Sequence, residues 1–309
     1  MTEQILVQTE QEKPETLSEA EEQVYQTLIP HLEELAINLD DFKEENRQEN
    51  IKIDKEKVQQ RKEELKQMGQ SEISSSKKRS KILEALMAEQ IEISDWFGPN
   101  VNTVIASEFD DLFNSIDMVV EFGDEKEKDS HYDPVGIDVT STTERIEKKL
   151  YKIRDSLRQW GGSRIRYFRS ERQNPKTTLK EMPRLIIGVE PELLEELSKL
   201  WLEANEHRLE NRNPLELSSQ EKQKIRAARE SLAKHRTAKL ILEELKIQLE
   251  TIIKFAKKYK EDPSKFERLL TIVKGLLKLK NIDSEDENKN NQDKIYQTIR
   301  HGLEKTFTQ

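Results

Sequence analysis

Cysteine does not occur among the 309 residues. Its absence excludes disulfides, thiolate zinc sites, iron–sulfur clusters and a cysteine nucleophile together. Glycine and proline are scarce, nine of each, about half of their usual combined share of roughly 12%. Few turns and much helix follow. Hydrophobic residues make up 34% and aromatics 6%, too little for one dense globule over the whole chain, so the core must be concentrated. No apolar run approaches the ~18 residues of a membrane-spanning helix. The best short runs are Met118–Val120 and Leu185–Val189, which excludes a transmembrane helix and a membrane partner. The N-terminus lacks a basic stretch before an apolar one, so no secretory signal is read and the expected location is cytoplasmic. No glycine-rich phosphate loop exists, which argues against P-loop and Rossmann enzymes. His31, His131, His207, His235 and His301 are scattered without ligand spacing.

Charge, by contrast, is plentiful. Acidic residues number 61 and basic residues 52, a net charge of −9, and charged residues are 37% of the chain. Net acidity speaks against nucleic acid over the whole surface but does not test a local basic patch. Residues 1–16 read as a disordered tail. Residues 17–80 read as a helical arm and linker. Ser18 and Glu21 have capping-box spacing, and Val24, Leu28, Leu32, Leu35 and Leu39 follow at helical spacing. Pro30 predicts a kink or break. Residues 43–67 read as an exposed helix or weak coiled coil, and Gly69–Ser80 as linker.

A different texture spans 82–210. A short helix is expected over Thr103–Phe113. Strands are expected at Ile116–Phe122 and Val135–Thr140, on either side of a polar loop. A helix follows from about Thr143 to Trp160, ended by Gly161-Gly162. Two further strands, at Ile165–Arg169 and Leu185–Val189, precede a helix opened by Pro191. Residues 215–309 read as a helical C-terminal region: one long segment at 220–259, a helix at Phe266–Leu279, a polar linker at 281–292 and a terminal helix at Lys294–Phe307.

Strand side chains alternate faces. Asp117, Val119 and Glu121 therefore share one face, and Gly136, Asp138 and Thr140 share another. Paired as a hairpin, the two strands bring Asp117, Glu121 and Asp138 to one side. Such carboxylates suit a hard cation, Mg²⁺ or Mn²⁺, which activates water and stabilises charge on a phosphoryl oxygen. A carboxylate inside an apolar strand is costly unless paired or metal-bound.

This order of acidic helix, Asp-bearing strand, hairpin, second strand with Asp138-Val139-Thr140 and lysine-bearing helix resembles the PD-(D/E)XK nuclease superfamily. The resemblance covers about 82–210 and implies an α/β (α+β) fold with a restriction-endonuclease-like α-β-β-β-α-β core. In that frame Asp117 matches the first motif acid, Asp138 the D/E of the second motif and Glu108 the first-helix acid. Asp117 and Asp138 would hold Mg²⁺ or Mn²⁺, with Glu121 assisting. Thr140 stands where the motif has lysine. The following helix can supply it, from Lys148 or Lys149. With Ile146 at zero, Ile153, Leu157 and Leu150 lie at about −20°, 20° and 40°, Lys149 lies near −60° beside that stripe, and Lys148 lies nearly opposite. Lys149 is therefore the expected catalytic lysine.

The charge pattern adds a second argument. Residues 106–144 carry 12 acidic and two basic side chains, whereas 145–184 carry 13 basic and four acidic, a net of +9. Lys148, Lys152, Arg164, Arg166 and Arg169 interleave there with Trp160, Tyr167 and Phe168, which suits contacts to phosphates. The expectation is a metal-dependent nuclease, endo- or exodeoxyribonuclease, hydrolysing phosphodiester bonds of DNA. The alternative is a non-catalytic module with a degenerate nuclease fold, binding nucleic acid or protein and assembling with itself or a partner through coiled-coil-like arms. A third alternative is a purely helical scaffold without strands at 116–140. The two charge blocks would cancel if they paired with each other.

Overall fold

The periodicity around Val24 and Leu32 becomes helix α1 (Glu19–Leu35) in a computed structural model that describes residues 16–68, 74–123, 132–170, 176–280 and 284–307. Ser18 caps α1, and Glu21 closes the box back to the Ser18 amide at 2.7 Å. Pro30 does not break the helix. Val24, Ile29 and Leu32 are buried on both sides of it, and burying such side chains at about 1.5–3 kcal/mol each outweighs the ~3 kcal/mol of an interior proline.

A 3₁₀ turn (Leu39–Phe42) leads to α2 (Gln48–Gln67) and α3 (Ser75–Ser94). Ser74 caps α3, so residues 75–80 are helix rather than linker, and 69–73 lie outside the described residues. The helix expected over 103–113 is instead strand β1 (Val101–Ile105) followed by α4 (Glu108–Asn114). Three β-branched residues in 103–105 favour extended backbone, and Ser107 caps α4 through the Asp110 amide at 3.1 Å.

Next come β2 (Met118–Gly123), β3 (Tyr132–Thr140) and α5 (Ile146–Trp160), closed by Gly161 at φ 67°. The loop between β2 and β3, residues 124–131, lies outside the described residues. Strands β4 (Ser163–Arg169), β5 (Lys176–Met182) and β6 (Arg184–Gly188) precede α6 (Pro191–Leu209). The expected long helix at 220–259 is two, α7 (Ser219–Ala233) and α8 (Arg236–Tyr259), with His235 capping the second. Helices α9 (Ser264–Leu279), α10 (Ser284–Gln292) and α11 (Lys294–Phe307) complete the chain. Most of the polar linker expected at 281–292 is thus helical, and 281–283 are not described.

The fold is mixed α/β and mostly helical. Its four-stranded sheet has the order β1-β2-β3-β6, with β1/β2 and β2/β3 antiparallel and β3/β6 parallel. These strands exclude the purely helical scaffold. Helix α5 makes the crossover that a parallel pair needs, and an antiparallel β4–β5 hairpin is inserted before β6. Two buried clusters flank the sheet. One joins α3, α5, α6 and α8 to Met118, Val120, Ile137 and Leu185. The other joins the hairpin, α4, α2 and the 3₁₀ turn to Val119 and Ile116.

The core is not confined to 82–210. Val24 and Leu32 of α1, Leu245 and Ile252 of α8 and Ile299 and Leu303 of α11 belong to the first cluster. Gly302 lets α11 approach α5, since a Cβ there would stand 2.7 Å from Leu150 Cδ1. Helix α2 is tied down by Asp54. It is buried, accepts from Tyr167 Oη at 2.8 Å and faces Arg166 Nε at 2.7 Å.

Among the described residues β6 has no strand beyond it; α8 seals that edge with side chains. Gln248 accepts from the Ile186 amide at 2.9 Å and donates to the Ile186 carbonyl at 2.6 Å, and Glu244 accepts from the Gly188 amide at 3.1 Å. Gln248→Leu would strand two buried backbone groups, each worth ~1–3 kcal/mol. Urea denaturation should show it at least ~2 kcal/mol less stable than wild type with an unchanged m-value. A change under ~0.5 kcal/mol would mean that α8 does not seal the edge.

Candidate functional site

Met118 stands opposite Ile137 in the β2/β3 ladder, which sets Asp117, immediately before β2, beside Asp138 of β3. Each carboxylate is met differently. Asp117 Oδ2 accepts from the Val139 amide at 2.7 Å. Asp138 Oδ1 accepts from Lys149 Nζ at 2.5 Å, and Lys149 also donates to the Val139 carbonyl at 3.1 Å. Lys149 reaches Asp138 because α5 starts soon after β3 and returns over it, its buried stripe of Ile146, Leu150, Ile153 and Leu157 in the core. Thr140, in the motif's lysine position, is buried and bonded to the Thr142 carbonyl at 3.0 Å, so it shapes the turn into α5.

Helix α3 adds two groups that the sequence reading overlooked. Lys81 Nζ bridges Glu84 Oε2 at 2.8 Å and Asp111 Oδ2 at 3.4 Å. Burial opposes its charge, but Glu84, Asp111 and Asp117 outweigh that and raise its pKa. Burial pushes the Glu84 carboxyl up to about 7, with Lys81 pulling it down and Asp111 pushing it up. The Asp117 carboxyl is raised well above the usual range by burial, then by Asp111 and Glu84; Lys81 opposes and Asp138 adds. One signal could have revealed Glu84. It interrupts an otherwise apolar run between Leu83 and Leu86, on a helix buried nearly all round.

The other expected site residues are elsewhere. Glu108 lies in the first turn of α4, half exposed, and pairs with Lys62 of α2. Glu121 is buried and accepts from Ser170 Oγ at 2.7 Å, about 13 Å of strand away from Asp117. Neither joins Asp117, Asp138 and Lys149. Asp110 is also structural, accepting from the Arg166 and Tyr167 amides at 2.7 and 3.0 Å and so fixing β4 to α4. Lys148, Lys152 and Arg164 are exposed and form no ion pair among the described residues. Arg166 is engaged with Asp54, and Arg169 lies 3.9 Å from Asp41. Of the basic block, these two pair with the N-terminal arm rather than with the acidic segment at 106–144.

The donor set is all oxygen, and two of its atoms lack partners: Asp138 Oδ2 and Glu84 Oε1 are buried without a hydrogen bond. Unpartnered buried carboxylate oxygens fit a hard cation. Among the described residues no three carboxylates or imidazoles converge closely enough to form a full protein cage.

An acid whose folded pKa exceeds its unfolded one stabilises the fold at low pH and loses that contribution as pH rises. Between pH 4.5 and about 7, wild type should therefore lose stability relative to Glu84→Gln, by on the order of 3 kcal/mol. Urea midpoints measured across that window provide the check. A pH-independent difference would mean that Glu84 ionises as it does in water.

Compared with known proteins, the chain matches no family model, no curated protein and no solved structure.

Proposed function

We propose that the chain is a metal-dependent nuclease of PD-(D/E)XK type acting on DNA. The observation that carries this reading is the Asp138–Lys149 pair at 2.5 Å with Asp117 bonded to the intervening Val139 amide. Two carboxylates and a lysine, from the edge of β2, from β3 and from α5, thus meet around Val139. The element order supports it: α3, three antiparallel strands, α5, then β6 parallel to β3, with α4 and the hairpin as insertions. In this reading the first-helix acid is Glu84 rather than Glu108.

Asp117 and Asp138 would hold Mg²⁺ or Mn²⁺. An incomplete protein cage suits Mg²⁺, which keeps several waters and binds through one or two carboxylates together with substrate phosphates. When bound, the ion supplies Lewis acidity at a phosphoryl oxygen and lowers the pKa of a coordinated water. Lys149 spends two of its three N–H donors on Asp138 and Val139. The third is left to orient the attacking water or to meet the charge on the pentacoordinate phosphorus. Glu84, with its pKa raised to about 7, is suited to accept a proton near neutral pH.

A specific observation favours the non-catalytic alternative. Thr140 holds the motif's lysine position and is committed to a turn, so the lysine must come from α5. One assay separates the two. Asp138→Asn and Lys149→Met should each lower Mg²⁺-dependent DNA cleavage at least ~100-fold, with the circular dichroism spectrum unchanged. Equal, non-zero cleavage by wild type and Asp138→Asn would remove Asp138 from the mechanism. DNA binding by wild type without cleavage would establish the degenerate fold.

A further inference from the structure

Beside the carboxylates lies a cleft of about 680 Å³, walled by the end of α4, the outer face of α5, and β4, β5 and β6. Four cations line it: Lys152, Arg164, Lys180 and Arg184. Arg184 is only 6% exposed. Its Nη1 donates to the Asn114 carbonyl at 2.7 Å, while Nε and Nη2 have no partner. A buried guanidinium with two unpaired nitrogens calls for an anion. Lys152, Arg164 and Lys180 form no ion pair among the described residues, whereas the acids on the same wall are already paired, Asp155 with Arg154 at 2.9 Å and Glu181 with Lys265 at 3.8 Å.

The cleft also has aromatic walls. Trp160 is 64% exposed and Phe113 is 44% exposed, in a chain whose other tryptophans, Trp96 and Trp201, are buried at 0% and 3%. Helical geometry links them to the chemistry. Lys149, Lys152, Ser156 and Trp160 fall on one stripe of α5, spanning about 16 Å at 1.5 Å per residue. The stripe runs from the Asp138 pair to the exposed indole.

We propose that this cleft binds an unpaired nucleotide of a single strand, its phosphate held by Arg184, Lys152, Arg164 and Lys180 and its base stacked on Trp160 near Phe113. The volume falls in the range of small-ligand pockets, roughly 300–1,000 Å³. An exposed aromatic ring takes a base only when its face is free, as in single strands, whereas bases within a duplex are already stacked. The site's part in cleavage rests on the nuclease reading of the neighbouring carboxylates; its binding does not.

Tryptophan emission offers a direct readout, because only Trp160 is accessible. The full chain would be titrated with oligothymidylate in EDTA, then with oligouridylate and with a blunt duplex of equal length. The expected result is saturable quenching by a single strand, absent in Trp160→Phe, and weaker binding to the duplex. Preference between the two oligonucleotides identifies the strand as DNA or RNA, and either supports the site. By competition against a labelled strand, Trp160→Ala should bind about tenfold more weakly or worse. The surface double variant Arg164→Ala/Lys180→Ala should bind more weakly and lower the slope of log K against log salt by about 1.4. Because both of its residues are exposed, this variant avoids the folding risk of Arg184→Ala. No quenching, duplex binding as tight as single-strand binding, or wild-type affinity in both variants would overturn the proposal. Mg²⁺-dependent cleavage alongside wild-type affinity in the variants would leave the nuclease reading standing without this site. Rim-dependent binding without cleavage would do the reverse.

Discussion

A carboxylate at a strand position inside a packed fold must be met by a cation or a backbone donor. Asp117 and Asp138 impose that requirement side by side, and much of the architecture answers it. The Val139 amide meets Asp117, and Lys149 meets Asp138. For Lys149 to arrive, α5 must start within a few residues of β3 and fold back on it. The Thr140 hydroxyl secures that turn. Helix α3 must lie close enough for Lys81 to hold Glu84 and Asp111, and Ser141 fastens the end of β3 to it by donating to the Ser76 carbonyl at 2.6 Å. The two acids thereby fix α3, β2, β3 and α5 relative to one another.

A four-stranded sheet holding such groups has two faces and two edges to protect, and the central segment cannot cover them alone. The helical regions do so. On one face α2 docks through Asp54, Tyr167 and Arg166, with Phe42 edge-on to Tyr167 at 5.4 Å between centroids. At the β6 edge α8 replaces a neighbouring strand with Gln248 and Glu244. Glu244 is buried, its pKa raised well above the usual range by burial and by Asp293. That shift favours the uncharged form, which limits the charge placed in the core. The scarcity of apolar residues in the arms therefore does not make them appendages. A few buried positions per helix, such as Ile51, Asp54 and Val58 of α2, are enough.

What the sequence revealed depended on the range of the interaction. The Ser18–Glu21 capping box and the Gly161 stop rest on neighbours in the chain, and local spacing carries them. The juxtaposition of Asp117 and Asp138 followed from strand alternation once a hairpin was assumed, and Lys149 from its angle on α5. The missed features need partners far away in sequence. Strand β1 is five residues long and extended because Val101–Ile105 pair with β2. Strand β5 is half-exposed and polar, and only pairing with β4 makes it a strand. Glu121 shares a face with Asp117 as alternation requires, yet the pairing that sets Glu121 opposite Pro134 carries it to the far end of the hairpin. Glu108 lies on α4 and pairs with Lys62 of α2 rather than joining Asp117 and Asp138. The basic block divides in space in a way no count could show, with Arg166 and Arg169 turned to the arm and Lys152, Arg164 and Lys180 left at the cleft.

That division gives the site a direction. Toward α3 it is rich in acids, with Glu84, Asp111 and Asp117 around a single ammonium, Lys81. Toward α5 and β6 it is rich in cations, with Lys149, Lys152 and Arg184 around Asp138. Burial lowers the pKa of Arg184, with Asp138 opposing, and lowers that of Lys152, where Arg184 adds to the effect. The cations are thus crowded, and only part of that crowding is relieved within the protein. A ligand that lowers the energy of both halves at once brings a cation to the acids and an anion to the lysine–arginine side. A phosphodiester accompanied by a divalent ion has that polarity, whereas a free anion satisfies only one half. On the proposed reading, the ion would lie toward Asp117 and Asp138 and the neighbouring nucleotide toward Arg184 and Trp160.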